Sequence, residues 1–365
     1  MSGVYISFPF CAQKCSFCNF ASGAFSRELE AEYNDALLTE IRSHAWQWRP
    51  DTIYLGGGTP SNMDLATLQR VLGAIPGYPW LEATLETAPG TVTREKAEAW
   101  RRMGIGRVSL GVQSFVTVEL AQTGRRHTAE IVAADCEILR SSGIADINID
   151  LIAGLPHQTP ESWRESLDWI TRLDPPHVSV YMFEIDEDSR LGLEILNNGS
   201  RYGASGAPSE DTAADLYETA VDHLASLGIE RYEISNFAKP GCESLHNLKY
   251  WTMAPYVGFG SDAHGFDGRE RRGNVESPQE YVARMKQGAC AADTVTLSNS
   301  EEERLFTGLR LMRGIRLSPV EWEKRREPIE RFLEAGLLEG DAEALRLTRR
   351  GVLLSNEVFQ EFLAA

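Results

Sequence analysis

Three cysteines fall within eight residues near the start of the chain, in Cys11-Ala12-Gln13-Lys14-Cys15-Ser16-Phe17-Cys18, and no fourth follows closely. A loop this short can aim three thiolates at one centre and leave a fourth corner open. Iron–sulfur clusters are held by cysteine thiolates, ordinarily one per iron. Three ligands on a four-iron cluster leave one iron free to take a small molecule. The spacing alone also admits a chance grouping in a loop, or a zinc site completed by a distant ligand. Cys136, Cys242 and Cys290 are scattered and read as small buried apolar residues.

The elements that must position this loop alternate regularly. Val4–Phe8, Thr52–Leu55, Ala83–Glu86, Arg107–Gly111, Asp146–Ile152 and His177–Tyr181 read as strands. Helical patterns intervene from Ser26, from Leu65, over Thr93–Met103, Thr128–Ser142 and Pro160–Leu173. One βα unit takes about 30 residues, and six such units predict an α/β fold, a partial (β/α)6 barrel of TIM type. Sites on such folds lie at the C-terminal ends of the strands. The cysteine loop follows the first strand. Gly56-Gly57-Gly58-Thr59-Pro60 follows the second, where bare backbone can approach a ligand. Glu86 ends the third, Gln113 follows the fourth and Asp150 ends the fifth. Singly these are weak signals; together they describe a pocket with a cluster at one end. S-adenosylmethionine suits such a pocket, because its amino and carboxylate groups can chelate the open iron. An electron from the cluster would then break the sulfonium bond and release an adenosyl radical.

After Glu184 the alternation weakens. Asn197–Pro208 reads as an exposed loop, Glu210–Leu227 as a helix and Arg231–Phe266 as a turn-rich, aromatic stretch. Near Thr296 the character changes again. Three helices, Glu301–Met312, Ser318–Ala335 and Gly351–Phe362, with a wing strand at Ala344–Thr348, predict a small C-terminal helical or winged-helix domain. The domains expected are 1–295 and 296–365, joined around Ala291–Ser300, with the second acting in packing or as a lid. The net charge of −17 argues against nucleic-acid binding and against a basic membrane surface. The N-terminal residues carry no basic segment followed by a long apolar run, which reads as no signal peptide and a cytoplasmic, reducing setting.

The cysteine loop and Gly-Gly-Gly-Thr-Pro together resemble the radical S-adenosylmethionine superfamily. Glu86-Thr87-Ala88-Pro89-Gly90-Thr91, Gly111-Val112-Gln113-Ser114-Phe115, Asn148–Pro156 and His246-Asn247-Leu248-Lys249-Tyr250-Trp251 follow in order. These are similar to the group holding oxygen-independent coproporphyrinogen III oxidase and the HemW heme chaperones, over nearly the whole chain. The resemblance implies that Cys11, Cys15 and Cys18 bind a [4Fe-4S] cluster. It implies that Tyr5, Phe17, Gly57, Gly58, Thr59 and Glu86 surround S-adenosylmethionine. Gln113, Arg125 and Asp150 match positions that lie around a second S-adenosylmethionine in the oxidase. The oxidase carries a further cysteine two residues after the third, where this sequence has Phe20, and a longer segment before the cluster. Those differences, the His246–Trp251 stretch and His264 resemble the chaperone branch. That branch implies heme as a ligand, with His246 as candidate contact, and heme-accepting respiratory proteins as partners, met at the membrane only through them. On chemistry alone His246 reads rather as a capping or hydrogen-bonded loop residue, and it is the resemblance that makes it a heme candidate. The chain would act as a monomer or homodimer. The rival expectation is an enzyme that oxidatively decarboxylates coproporphyrinogen III.

Overall fold

Each of the six expected strands is present, and each is apolar on one face and polar on the other. The computed structural model describes residues 2–363; Met1 and Ala364-Ala365, the outer ends of the two regions drawn from the sequence, lie outside the described residues. The strands are β1 (Gly3–Phe8), β2 (Thr52–Gly57), β3 (Glu82–Thr87), β4 (Arg107–Gln113), β5 (Asp146–Ala153) and β6 (His177–Met182). They pair in parallel in that order. Side chains alternate across a strand. Val4, Ile6 and Phe8, like Ile147, Ile149 and Leu151, are wholly buried under the helices. Their neighbours Tyr5, Ser7, Asn148 and Asp150 line the concave side.

The helices between these strands are α1 (Arg27–Ser43), α2 (Leu65–Gly73), α3 (Arg94–Arg102), α4 (Thr117–Gln122), α5 (Ala129–Ser141) and α6 (Pro160–Leu173). Their starts follow from side-chain caps: Ser26, Asp64, Thr93 and Thr159 each accept a backbone N–H from the first turn. On α1, Tyr33, Leu37, Leu38 and Ile41 make the buried stripe, and Trp100 and Trp163 are fully buried on α3 and α6.

The sheet continues past both ends of the expected six. β7 (Glu230–Arg231) and β8 (Asn236–Ala238) extend it antiparallel beyond β6. On the other edge β9 (Tyr256–Phe259) lies parallel to β1. β10 (His264–Phe266), β11 (Glu270–Asn274) and β12 (Ala292–Leu297) follow antiparallel, completing a sheet of 12 strands. The segment expected to join two domains is therefore an edge strand, and the boundary drawn at 295 falls inside β12. Its side chains are mostly exposed, so no buried face marked it in the sequence. α7 (Arg190–Leu196) precedes the loop expected at Asn197–Pro208, that loop holds a 3-10 turn at Arg201–Gly206, and the turn-rich stretch holds α9 (Leu245–Trp251), with α8 (Glu210–Ser226) before α9 and α10 (Pro278–Lys286) after it.

The C-terminal region matches the helical or winged-helix expectation in class. Two of its three expected helices are each broken once. After α11 (Ser300–Gly308) come α12 (Pro319–Lys324) and α13 (Arg326–Glu334), split at Arg325, and then α14 (Arg349–Leu353) and α15 (Ser355–Gln360), split at Leu354. Arg325, with φ −119°, is buried and turns its guanidinium to the Phe362 carbonyl. The wing is two residues, Arg346–Leu347, paired with Leu338–Glu339. No described helix is long and apolar enough to cross a membrane. Of the scattered cysteines, Cys136 is buried as expected, whereas Cys242 is half-buried and Cys290 exposed.

Candidate functional site

The cysteine loop leaves the C-terminal end of β1 and folds back on itself. Cys11 N–H donates to Gly23 O at 2.8 Å and Gly23 N–H to Pro9 O at 2.9 Å. Two other segments clamp it. Ser16 donates to Thr123 O at 3.2 Å, Leu191 donates to Ser16 O at 2.8 Å, and Asn19 reaches Asp186 at 2.5 Å. The second strand's glycines close over the loop. Gly57, with φ +104°, ends β2. Gly58 N–H donates to Phe8 O at 2.8 Å and Thr59 N–H to Phe10 O at 3.0 Å. Burial pushes the Cys11 thiol above its ordinary pKa, while hydrogen bonds from Thr59 and Ser22 pull the other way. Among the described residues no three His, Cys, Asp or Glu side chains converge as ligands of a single metal ion would.

A cavity of about 80 Å³ sits beside the loop, lined by Tyr5, Ser7, Pro9, Phe20, Ala21, Ser22, Gly57, Glu86 and Asp262. Tyr54 donates to Glu86 at 3.0 Å. Burial first, and the Asp150 charge second, push Glu86 up to about 7. Asp150 is raised by burial, against hydrogen bonds from Ser109 at 3.0 Å and Asn148 at 2.7 Å. Arg125 donates to Gly111 O and lies 5.8 Å from the Phe17 ring centroid. Gln113 occupies a strand irregularity with φ +73°. Ser16 Oγ, Gln113 Oε1, Arg125 Nε and His127 Nε2 are buried without a hydrogen-bond partner. Buried polar atoms are nearly always paired. Four orphans where the cysteine loop meets the segment after β4 fit a polar ligand.

Cys11, Cys15, Cys18, Tyr5, Phe17, Gly57, Gly58, Thr59, Glu86, Gln113, Arg125 and Asp150 are thus gathered at one end of the barrel. His246 is not. It lies against Gly3, Thr52 and Glu82, the first residues of β1, β2 and β3, at the opposite end. Its ring is wholly buried, with Nδ1 2.9 Å from Thr52 Oγ1 and Nε2 2.9 Å from the Tyr250 hydroxyl. Burial, with the Lys249 charge adding, pushes its pKa down to about 3. Both ring nitrogens are engaged within the protein, so His246 stands apart from the residues gathered at the cysteine end. Two site residues escaped sequence reasoning. Asp262 enters the cavity wall from the turn after β9, held with φ +56°. His127, two residues beyond Arg125, is pushed down to about 4 by burial and by the Arg125 charge.

Comparison with known proteins fits this geometry. Residues 5–170 match the model of the radical SAM superfamily, and residues 297–354 that of the HemN C-terminal domain. Over 381 residues the chain is 33% identical to the heme chaperone HemW of Bacillus subtilis (strain 168), covering 100% of this chain and 99% of that one. This chain belongs to the HemW family. The HemW heme chaperone of Escherichia coli (strain K12) is 30% identical over 380 residues, covering 99% and 98%. Coproporphyrinogen III oxidase (HemN) of Escherichia coli, a radical SAM enzyme, superposes with a TM-score of 0.86 at 22% identity, covering 99% of this chain and 89% of that structure. That likeness shows that this chain shares the oxidase's fold.

Proposed function

We propose that this chain is a heme chaperone that holds a [4Fe-4S] cluster on Cys11, Cys15 and Cys18 with S-adenosylmethionine beside it, takes heme as cargo, and delivers it to membrane-bound respiratory proteins. The observation that carries the reading is the full-length likeness to HemW chaperones. Phe20, 64% exposed on the cavity rim where the oxidase has cysteine, supports it over the oxidase reaction.

Cluster and S-adenosylmethionine, when bound, supply one-electron chemistry; the protein supplies placement and electrostatics. Gly57, Gly58 and Thr59 bring bare backbone up to the loop, which suits the amino-acid end of the cofactor. Glu86 and Asp262 make a carboxylate wall beside Tyr5, matched to a ligand bearing sulfonium and ammonium charges. Phe17 offers an apolar face, and Gln113, Arg125 and Asp150 supply polar partners. We place these functions in residues 1–295, with 296–365 as a packing or lid domain. A reducing cytoplasm would keep the three thiols available. With a net charge of −17, membrane contact would run through the heme-accepting partner.

The test is anaerobic reconstitution followed by heme titration and a coproporphyrinogen conversion assay side by side. Heme binding without conversion is expected, and robust protoporphyrinogen formation would sink the chaperone reading. For the cluster, Cys15→Ser should abolish the iron–sulfur absorption band, and an unaltered spectrum would refute the site.

A further inference from the structure

The chain has seven histidines, and the structure sorts them. His127, His177 and His246 are buried. His223 bonds Thr171 through Nε2, and His44 packs its ring on Trp46 and Phe259. His157 and His264 are exposed. His264 begins β10 close to the carboxylate of Asp262.

His157 has a different setting. It follows β5 in Gly154-Leu155-Pro156-His157 and therefore lies at the cysteine end of the barrel. Its φ of +66° is in the left-handed region, unusual for a residue with a side chain. Its N–H donates to Gly206 O at 2.7 Å, which helps hold it there. The imidazole lies against two bare glycines. A Cβ at Gly203 would come 3.1 Å from Nε2, and one at Gly206 would come 2.5 Å from Nδ1 and 2.9 Å from Nε2. No described group hydrogen-bonds the ring. Strain of this kind persists where the surroundings over-determine it, often at binding sites.

The surroundings supply the rest of a site. The 3-10 turn that carries the two glycines packs on α7. There Leu193 and Leu196 are 46% and 56% exposed, three residues apart on one helix face. Tyr202, φ +59°, has the guanidiniums of Arg190 and Arg201 each 5.3 Å from its ring centroid. α7 is tied to the cysteine loop through Leu191 N–H to Ser16 O and through Arg190 to Lys14 O. An unbonded imidazole, an exposed apolar helix face and two arginines, Arg201 being also 3.8 Å from Glu194, thus lie on neighbouring segments at the cysteine end. Heme asks for these three things: an axial nitrogen, apolar contact for the macrocycle, and cations for its propionates.

We propose that His157 is the axial heme ligand of this chain, on a site formed with α7 and the Arg201–Gly206 turn. The assignment rests on the reading that the chain carries heme. The experiment is titration of ferric heme into the full-length, cluster-reconstituted chain, followed by its Soret band. His157→Asn removes the ring while tolerating the left-handed backbone. It should move the Soret band and weaken binding by at least about tenfold, the loss found when even the support of a metal ligand is removed. Gly206 is not in the left-handed region, so Gly206→Ala disturbs only the imidazole it meets and should also alter the band. His264→Ala and His246→Ala should leave the band in place. His157→Asn with unchanged band and affinity overturns the assignment, as does a Gly206→Ala spectrum identical to wild type. A wild-type chain that binds no heme overturns the chaperone reading itself. Wild-type binding with His157→Asn unaffected overturns only the ligand.

Discussion

Gly58→Ala should damage the cysteine loop, and the structure says by how much. A Cβ at Gly58 would lie 2.8 Å from Phe10 O, 2.8 Å from the Pro9 carbonyl carbon and 2.9 Å from Cys11 Sγ. Ordinary contact begins near 3.4 Å, so the methyl group must push two backbone segments apart by about 0.6 Å. Those segments are tied by the Gly58-to-Phe8 and Thr59-to-Phe10 hydrogen bonds, which leaves no easy direction of retreat. Overpacking of this kind costs about 1–3 kcal/mol, a fall of about 1–4 °C in Tm for a chain of this size. The displaced atoms belong to Cys11 and its neighbours, so cluster content should fall as well. Gly58 carries no left-handed φ, and the effect is therefore steric. Gly73, at the end of α2, has nothing within 4 Å of its would-be Cβ. Gly73→Ala should be neutral or stabilising by up to about 1 kcal/mol. The assay is iron and sulfide per chain after anaerobic reconstitution, together with thermal unfolding. A Gly58→Ala chain with wild-type iron content and Tm refutes the argument that the close approach of backbone sets this glycine.

Two further outcomes follow from the barrel interior. Glu86 sits near 7 because of burial, so the folded chain binds this proton more tightly than the unfolded one. The stability it contributes is present below the ordinary carboxylate pKa and lost as pH rises through about 7. Glu86→Gln should remove a decline on the order of 2 kcal/mol between pH about 5 and about 8, read from urea midpoints on the ligand-free chain; superimposable pH profiles would contradict the burial argument. Arg107, 2% exposed, bonds both Asp146 oxygens at 2.9 Å and lies 3.9 Å from Glu82. Arg107→Leu strands those carboxylates and should cost about 3–5 kcal/mol, partly recovered when Glu82→Gln is added. A single-variant loss below about 1 kcal/mol in urea denaturation would show that the buried pair is not structural.

The six parallel strands were legible because each is a short apolar run, and in β2, β3, β4 and β5 a glycine, polar or acidic residue stands at or near its end. Five of the six helices between them were legible from apolar stripes, four of these with side-chain caps, whereas α4, six residues long and without a side-chain cap, was not expected. What the pattern did not reveal is the exposed or non-local part of the sheet. β9 has four residues and pairs with a strand far away in sequence, Gly3 facing Tyr256, and β12 is exposed on both faces. α7 is seven residues long and marked only by its cap, Ser189, which accepts from Gly192 N–H. In the site, residues that directly follow a strand were found. Asp262 was missed because its strand was missed, and His127 because nothing in its neighbours distinguishes a buried histidine from a surface one.

His246 shows why spacing alone cannot assign a role. The motif His246–Trp251 forms α9, and α9 closes the barrel end opposite the cysteines. Glu82 accepts the N–H groups of Leu245 and His246, each at 2.9 Å, and so caps the helix from the first residue of β3. Lys249 pairs with Asp51 at 2.7 Å beside the start of β2. Tyr250 takes the second nitrogen of His246. Trp251 stacks under Arg310, 4.2 Å away, which also reaches the buried Glu233. Every side chain named here has a partner in the plug or in the C-terminal region that rests on it. These contacts give the stretch a structural role in sealing this end of the barrel. At the other end the cysteine loop, Glu86 and Asp262 surround a cavity, and no described group hydrogen-bonds the His157 ring.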